Sequence, residues 1–171
     1  MPKITEKQIE GAIETISGPL GIKVYKVLKN HVDVNEFDIA TKLGMEINVI
    51  RNTLYKFEKH NLVTFFRKKD RKKGWYLYFY TFNKKEAEYL VIKLKKKTII
   101  LLEKHILDYE NHEYYVCPNK DSRKEIEEAL EQNFICTECG EILQPQENTI
   151  VIKKLKKEVD LLKIEAEKLE K

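Results

Sequence analysis

The chain has 171 residues with 32 Lys and Arg against 28 Asp and Glu, so its formal net charge is +4, and 35% of its residues are charged. This composition supplies both a core and a highly charged surface, which excludes an intrinsically disordered protein. No stretch reaches the roughly 20 apolar residues of a membrane helix, and the N-terminus lacks a hydrophobic signal core. Three cysteines fit a reducing compartment better than a disulfide framework. We therefore expect a soluble cytoplasmic protein that contacts no membrane.

Apolar residues at helical spacing predict four helices in the first 60 residues. The predicted segments are 5–17, 20–30, 36–43 and 46–60. Thr5 and Asn35 are candidate N-caps, and Gly44 is a candidate C-cap. The order of helix, helix, short helix, Gly turn, helix and then hairpin is typical of a winged helix-turn-helix.

The helix over 46–60 occupies the position of the helix that usually reads a DNA groove. Its polar residues are of mixed charge: Arg51, Asn52, Lys56 and Lys59, but also Glu46 and Glu58. Groove readout favours Arg, Lys, Asn or Gln facing base edges together, and this mixture is only weakly cationic. We therefore expect the hairpin, rather than this helix, to contact nucleic acid.

Residues 62–82 predict an antiparallel hairpin, because two runs rich in aromatic and β-branched residues flank a polar turn that Gly74 closes. The turn is a basic tip, residues 67–73. Cations suit a phosphate backbone, and exposed aromatic rings stack on bases. The candidate nucleic-acid-binding residues are Arg67, Lys68, Lys69, Arg71, Lys72, Lys73, Trp75 and Tyr76.

Alternation along the second hairpin strand separates Trp75, Leu77 and Phe79 from the facing tyrosines at 76, 78 and 80. One set packs on the helices, and we expect Leu77 and Phe79 to be core residues. A competing interpretation is that all these aromatic residues only build the strand while the lysines keep an edge soluble.

Two further segments have helical periodicity. Residues 84–112 contain neither Gly nor Pro, and their apolar residues Tyr89, Ile92, Ile99, Leu102, Ile106 and Tyr109 predict one long linker helix. Residues 148–171 carry a heptad seam flanked by Lys and Glu, which predicts a helix that pairs with the linker helix or with another protein. The expected organisation is mainly α with small β elements: a winged-helix domain (1–83), the linker helix (84–112), a zinc-ribbon-like domain (113–147) and a C-terminal coiled-coil helix (148–171).

The region between these two helices has part of a zinc-ribbon signature. Cys136 and Cys139 form a CxxC knuckle, but the first knuckle has Cys117 and then Lys120 where a fourth cysteine is expected. Two interpretations stay open. Three thiolates bind zinc with Asp121, His112 or water completing the shell, or the module folds without metal around Tyr115, Phe134 and Ile135.

Taken together, these motifs resemble archaeal transcription factor E, which is related to the alpha subunit of eukaryotic general transcription factor IIE. The resemblance covers nearly the whole chain. It is carried by the GWYLYFY strand and by the segments Cys117-Pro118, Glu128-Ala129-Leu130, Asn133-Phe134-Ile135-Cys136 and Cys139-Gly140.

The resemblance implies a basal initiation factor without enzymatic activity, associated with the nucleoid. Such factors sit on the clamp and stalk of RNA polymerase, with TATA-binding protein and transcription factor B, and favour promoter opening. Carried over by position, Trp75 and Tyr76 are the wing-tip aromatics that approach the non-template strand. The ribbon and linker helix hold the factor to the polymerase, a second subunit is possible, and Lys120 departs from the four-cysteine ribbon of many relatives.

A gene-specific winged-helix repressor is the alternative, and it predicts tight, sequence-dependent binding to duplex DNA. An enzyme is not expected, because the sequence has no phosphate-cradling Gly-rich loop and no nucleophile motif such as GxSxG.

Overall fold

The computed structural model describes residues 4–70 and 74–170, the latter without the side chain of Glu170. The chain forms two compact units. The first unit contains Met1–Leu94 with Leu169–Lys171, and the second contains Lys95–Lys168. Helices predominate, and each unit also has a small antiparallel sheet.

Four helices begin the first unit: α1 (Glu6–Ser17), α2 (Pro19–Leu28), α3 (Glu36–Leu43) and α4 (Ile47–Lys59). Thr5 caps α1 through a capping box with Gln8, and the Asn35 side chain accepts from the N–H of Phe37 at the start of α3. Gly44 ends α3 in the left-handed conformation. These predicted caps are confirmed, because each satisfies backbone groups that a helix end leaves unpaired.

The sheet of the first unit has the strand order β1-β3-β2, with β1 at Val34–Asn35, β2 at Val63–Lys69 and β3 at Tyr76–Phe82. Strands β2 and β3 form the predicted antiparallel hairpin, in register from Val63 opposite Phe82 to Lys69 opposite Tyr76. Strand β1 pairs with the base of β3 and was not predicted, because two residues carry no periodicity.

The core of the first unit is built from one face of each helix and the base of the hairpin. Its fully buried residues include Ile13, Leu28, Ile39, Leu54 and Phe57. Tyr80 of β3 is 2% exposed, and Tyr78 and Phe82 pack against the same cluster.

The tyrosine face of β3 therefore packs on the helices, and the expectation that Leu77 and Phe79 are core residues is wrong. Both are only half-buried and lie on the opposite face of the strand. Phe79 stacks on Phe66 of β2 with ring centroids 5.1 Å apart. Alternation predicts which residues share a face, but the position of the helices decides which face is buried.

Helix α5 spans Lys84–Asn111 without interruption, as predicted. In the first unit its residues Ala87, Leu90 and Val91 are buried in the core. Tyr89, which was predicted to lie on the apolar seam, is 62% exposed.

In the second unit α5 pairs with α7 (Asn148–Glu170). Ile99 and Ile106 of α5 are buried against Val159 and Ala166 of α7. Ion pairs flank this seam: Lys95–Glu165, Glu103–Lys163 and Lys156–Glu110. Along α5 from residue 95 to 103 to 110, the paired residues of α7 run backwards from 165 to 163 to 156, so the two helices are antiparallel. The sequence predicted that the last helix pairs with the linker helix or with another protein, and in the structure α7 pairs with the linker helix α5.

The remainder of the second unit is a small module of β4 (Tyr114–Val116), β5 (Arg123–Glu125), α6 (Ile126–Glu131) and β6 (Gln144–Pro145). The strand order is β5-β4-β6. Its core contains Cys117, Ala129, Cys136 and Leu143, with Tyr115 and Phe134 packed against them. Ile135, predicted to lie in this core, is 47% exposed.

Among the described residues, no helix combines the length and the apolar character that crossing a bilayer requires.

Candidate functional site

The end of the hairpin is closed by two backbone hydrogen bonds. The N–H of Asp70 donates to the carbonyl of Trp75 at 2.8 Å, and the N–H of Gly74 donates to the carbonyl of Asp70 at 3.0 Å. Gly74 has a φ of 77°, a conformation that glycine adopts without steric cost. These bonds hold Trp75 and Tyr76 where β3 begins, with Tyr76 opposite Lys69 of β2.

The candidate aromatic side chains of the hairpin are accessible to solvent. Trp75 is 54% exposed and Tyr76 is 47% exposed. The Arg67 guanidinium lies 4.6 Å from the centroid of the Tyr76 ring, which is within cation–π range. One cation of the tip is thus held against one of its aromatic rings.

The other predicted residues of the basic tip fall into two groups. Lys68 and Lys69 are exposed at the end of β2. Arg71, Lys72 and Lys73 lie outside the described residues. Among the described residues, the structure therefore collects three cations and two aromatic rings at one end of the hairpin.

Two further exposed aromatic residues, which were not predicted from the sequence, lie nearer the base of the hairpin on opposite faces of β2. Phe65 and Phe66 are 50% and 47% exposed, and Phe65 contacts the rings of Tyr78 and Tyr80. The number of aromatic residues in the two strands is the signal that points to them. Phe65 shares the face of the tyrosines and Phe66 that of Phe79, so the exposure of each ring depends on how far the helices cover its own face.

A cleft of about 810 Å³ lies beside β2, between the hairpin and α4. Its charged lining residues are Glu36, Arg51, Glu58 and Arg67, and its aromatic lining residues are Tyr55, Phe65, Phe66, Tyr78 and Tyr80. Burial, reinforced by the carboxylates of Glu58 and Glu36, raises the pKa of Tyr80 well above its ordinary value. Burial also raises the pKa of Glu58, although the hydrogen bond with Tyr80 opposes that effect. Two carboxylates and two guanidiniums line the cleft, so it has no excess of cations to attract a nucleic-acid backbone.

Helix α4 contains one arginine, Arg51, and that side chain is bound to Glu36. Exposed polar residues of the helix are Asn48, Asn52, Lys56 and Lys59. The weak cationic character of this helix, predicted from its composition, is thus reduced further by an ion pair that the sequence pattern does not indicate.

The second candidate site is the cysteine cluster, which we define as Cys117, Asp121, Cys136 and Cys139. One ligand atom from each residue lies within 4.8 Å of the others. The Sγ atoms of Cys117 and Cys139 are 3.3 Å apart, and Asp121 Oδ2 lies 3.9 Å from Cys117 Sγ. Three cysteines and a carboxylate are an acceptable zinc ligand set, so the residues present fit a metal ion.

Hydrogen bonds to the sulfur of Cys136 favour its thiolate form. The Ser122 hydroxyl lies 3.2 Å from Cys136 Sγ, and this contact, with backbone N–H groups of Cys139 and Glu138, lowers the pKa of Cys136 to about 7. Because the thiolate is the form that binds metal, the lowered pKa favours binding.

The thiol of Cys139 behaves in the opposite way. The N–H of Glu141 acts to lower its pKa, but hydrogen bonds with the Cys117 and Cys136 thiols, together with burial, outweigh that and raise it to about 11. A divalent cation would displace the proton that these sulfurs share.

Asp121, His112 and water were the predicted candidates for the fourth zinc ligand, and the structure distinguishes the two side chains. Asp121 lies at the cluster, whereas His112 at the end of α5 has its Nδ1 3.1 Å from the Asp108 carbonyl oxygen. The three predicted cysteine ligands lie together. The cluster is compatible with a zinc ribbon.

Comparison with known proteins agrees with these features. The profile of the family described as TFIIE alpha subunit matches residues 8–111, which is more than half of the chain. The chain belongs to the TFIIE alpha subunit family. That match covers α1 from residue 8 onward, the other helices and the hairpin of the first unit, and the whole of α5.

Individual relatives extend the match of this TFIIE alpha family chain beyond α5. It is 35% identical to Transcription factor E of Thermofilum pendens, over 82% of this chain and 79% of that protein. With Transcription factor E of Methanocaldococcus jannaschii the identity is 35%, over 85% and 84% of the two chains. The protein of that name from Methanosarcina mazei is 30% identical, over 95% and 98%. The resemblance stated from the sequence motifs is confirmed, and the chain is a general transcription initiation factor.

Proposed function

We propose that this factor binds RNA polymerase and promotes or stabilises the opening of promoter DNA, with the hairpin contacting the non-template strand. The observation that carries the proposal is the exposure of Trp75 and Tyr76 beside Arg67, Lys68 and Lys69 at the end of the hairpin. The factor acts without catalysing a reaction.

In this proposal the first unit is a winged helix whose wing is the hairpin. The order α2, β1, α3, α4, β2, β3 supports it, because three helices and a hairpin of this kind make up a winged helix-turn-helix, and α1 precedes that motif. The proposed domains are the winged helix (1–83), the linker helix (84–112), the zinc-ribbon-like domain (113–147) and the C-terminal helix (148–171).

Promoter opening follows from a difference in affinity. A melted strand exposes base faces that the duplex hides, so aromatic rings at the tip bind the open state better than the closed one. A ligand shifts an equilibrium only by such a difference. Stacking of one base contributes about 1–3 kcal/mol, which corresponds to a roughly 5- to 150-fold shift.

Phosphate contacts add affinity that depends little on sequence. Arg67, Lys68 and Lys69 flank the rings and neutralise the strand that passes them, while Arg67 also supports the Tyr76 ring. The wing thus stabilises an unpaired strand without reading its sequence.

Partners follow from the family. The proposed assembly contains RNA polymerase, contacted at its clamp and stalk, together with TATA-binding protein and transcription factor B. The zinc-ribbon-like domain and linker helix supply docking surfaces, and a second subunit is a further proposed partner. Photo-crosslinkers placed at Ile142, which is 69% exposed, and at Tyr76 test this arrangement. Ile142 is expected to label polymerase and Tyr76 the non-template strand.

The test of the function is the double variant Trp75→Ala with Tyr76→Ala in a reconstituted initiation assay on a weak promoter. We expect the variant to bind polymerase normally and to stimulate permanganate reactivity of the bubble less than the original protein. Tyr55→Ala is the matched control, because this aromatic residue is 57% exposed on α4, which has no part in the proposed contacts. Full stimulation by the double variant would show that the wing assignment is wrong.

The same reagents distinguish an initiation factor from a gene-specific repressor. Our proposal predicts weak binding to duplex DNA in the absence of polymerase, because the one arginine of α4 is bound to Glu36. Tight binding of the isolated protein to one duplex sequence would favour the repressor.

A further inference from the structure

The two halves of the cysteine cluster are built on turns of equal length. The N–H of Cys117 donates to the carbonyl of Ser122 at 3.0 Å, and the N–H of Cys136 donates to the carbonyl of Glu141 at 2.8 Å. Each bond spans five residues. Residue 120 in the first turn therefore corresponds to Cys139 in the second.

The turns differ in which residue adopts the left-handed conformation. In the second turn it is Gly140, at φ 77°, the residue after the metal-ligand position. In the first turn it is Lys120, at φ 65°, which is the metal-ligand position itself. A non-glycine residue takes up this conformation at a cost, so the surrounding turn must impose it.

This one-residue offset changes which side chain reaches the cluster. In the first turn the residue after the left-handed position is Asp121, and its Oδ2 lies 3.9 Å from Cys117 Sγ. The carboxylate of Asp121 thus lies where the sulfur of a fourth cysteine, at residue 120, is expected in a four-cysteine ribbon.

We propose that this chain binds zinc through Cys117, Cys136, Cys139 and the carboxylate of Asp121, with Lys120 as the left-handed residue that makes the substitution possible. A tetrahedral ion with Zn–S bonds of about 2.3 Å and a Zn–O bond of about 2.0 Å places its ligand atoms about 3.4–3.8 Å apart. The cluster atoms lie within 4.8 Å of one another, so shifts of about 1 Å complete the shell.

Two ligands of the proposed site are buried and two are accessible. Cys117 and Cys136 are each 2% exposed, whereas Asp121 and Cys139 lie at the surface. Because zinc prefers thiolate to carboxylate at a site of this kind, the Asp121 bond is its weakest link. A competing chelator is therefore expected to displace the Asp121 carboxylate first when it removes the zinc ion.

The experiment measures zinc directly and uses no transcription readout, so its outcome is independent of the proposed function. The full-length chain is loaded with zinc and examined by native mass spectrometry and by competition with a chromophoric chelator. We expect one zinc per chain. Asp121→Asn, which keeps the shape but removes the charged ligand, is expected to lower the zinc affinity by at least about 10-fold.

Two matched controls separate ligation from turn conformation. Lys120→Gly keeps Asp121 and relieves the left-handed strain, so its zinc affinity is expected to equal or exceed that of the original protein. His112→Gln removes the other proposed protein ligand and is expected to leave the affinity unchanged.

A gain-of-ligand variant keeps the test decisive if Asp121→Asn fails to fold. In the cobalt-substituted protein, Asp121→Cys is expected to raise the thiolate-to-metal charge-transfer absorption by about one third, because four thiolates replace three. The proposal is overturned if the original chain binds no zinc, if Asp121→Asn binds it equally well, or if Asp121→Cys leaves the charge-transfer absorption unchanged.

Discussion

Arg51 of α4 holds Glu36 of α3 in a two-point ion pair, with Nε 3.0 Å from Oε2 and Nη2 2.5 Å from Oε1. The Glu36 side chain is 1% exposed and that of Arg51 is 32% exposed. The guanidinium also lies 5.7 Å from the Phe37 ring. This pair ties α3 to α4, and its two members are unequally buried.

Unequal burial predicts unequal costs of mutation. Arg51→Met leaves a buried carboxylate without its cation and is expected to lower the free energy of unfolding by about 3 kcal/mol. Glu36→Gln leaves a guanidinium that water can reach and is expected to cost about 1–2 kcal/mol. Denaturant unfolding, with hydrogen exchange assigning the change to α3 and α4, measures both.

The apolar double variant Glu36→Met with Arg51→Met is the control for this pair. It is expected to be more stable than Arg51→Met alone, since no buried charge remains. Equal losses in the two single variants would contradict the importance of burial.

The salt dependence of strand binding tests the lysines at the end of β2. On single-stranded DNA each neutralised phosphate contributes about 0.7 to the slope of log affinity against log salt. Lys68→Gln with Lys69→Gln is therefore expected to reduce that slope by about 1.4. Fluorescence anisotropy with a labelled single strand supplies the measurement.

Lys84→Gln with Lys85→Gln, a pair at the exposed start of α5, is the matched control and should leave the slope unchanged. An undiminished slope for the Lys68 and Lys69 variant would remove these residues from the interface.

His60, which follows α4, makes the stability of the first unit depend on pH. Burial, with the charges of Lys93 and Lys59, lowers the pKa of His60 below its ordinary value. The unfolded chain then binds more protons than the folded chain near pH 6.5. Stability is therefore expected to fall as the pH drops from about 7.5 through this range, and to stop falling below the lowered pKa.

His60→Gln is expected to flatten that pH dependence, whereas His105→Gln, at an exposed position on α5, should retain it. Denaturant unfolding at a series of pH values provides the comparison. A stability profile that keeps its slope in His60→Gln would assign the effect to another group.

The antiparallel pairing of α5 and α7 depends on Val159, which is 4% exposed in the seam with Ile99 and Ile106. Val159→Ala is expected to destabilise the pair by about 2 kcal/mol and to speed hydrogen exchange in α7. Leu161→Ala is the matched aliphatic control, because Leu161 is 55% exposed. Similar exchange in both variants would mean that the seam does not hold α7 in place.

Helix ends, the long helix and the hairpin were predicted correctly from the sequence, because each depends on interactions between residues that are close along the chain. Thr5, Asn35 and Gly44 begin or end helices in the structure as their capping chemistry predicts. The long Gly- and Pro-free segment is α5, and the aromatic runs form the hairpin. Strand β1 could not be predicted, because it exists only by pairing with β3.

By itself the sequence determined the helices with their caps, the hairpin, the pairing chemistry of the last helix and the two candidate sites, since each depends on residues that are neighbours along the chain. Only the tertiary structure decided that the tyrosine face of β3 is buried, that Arg51 is held by Glu36, and that Asp121 rather than His112 joins the three cysteines. Those outcomes depend on which surfaces meet, and periodicity along a chain carries no information about the element that packs against it.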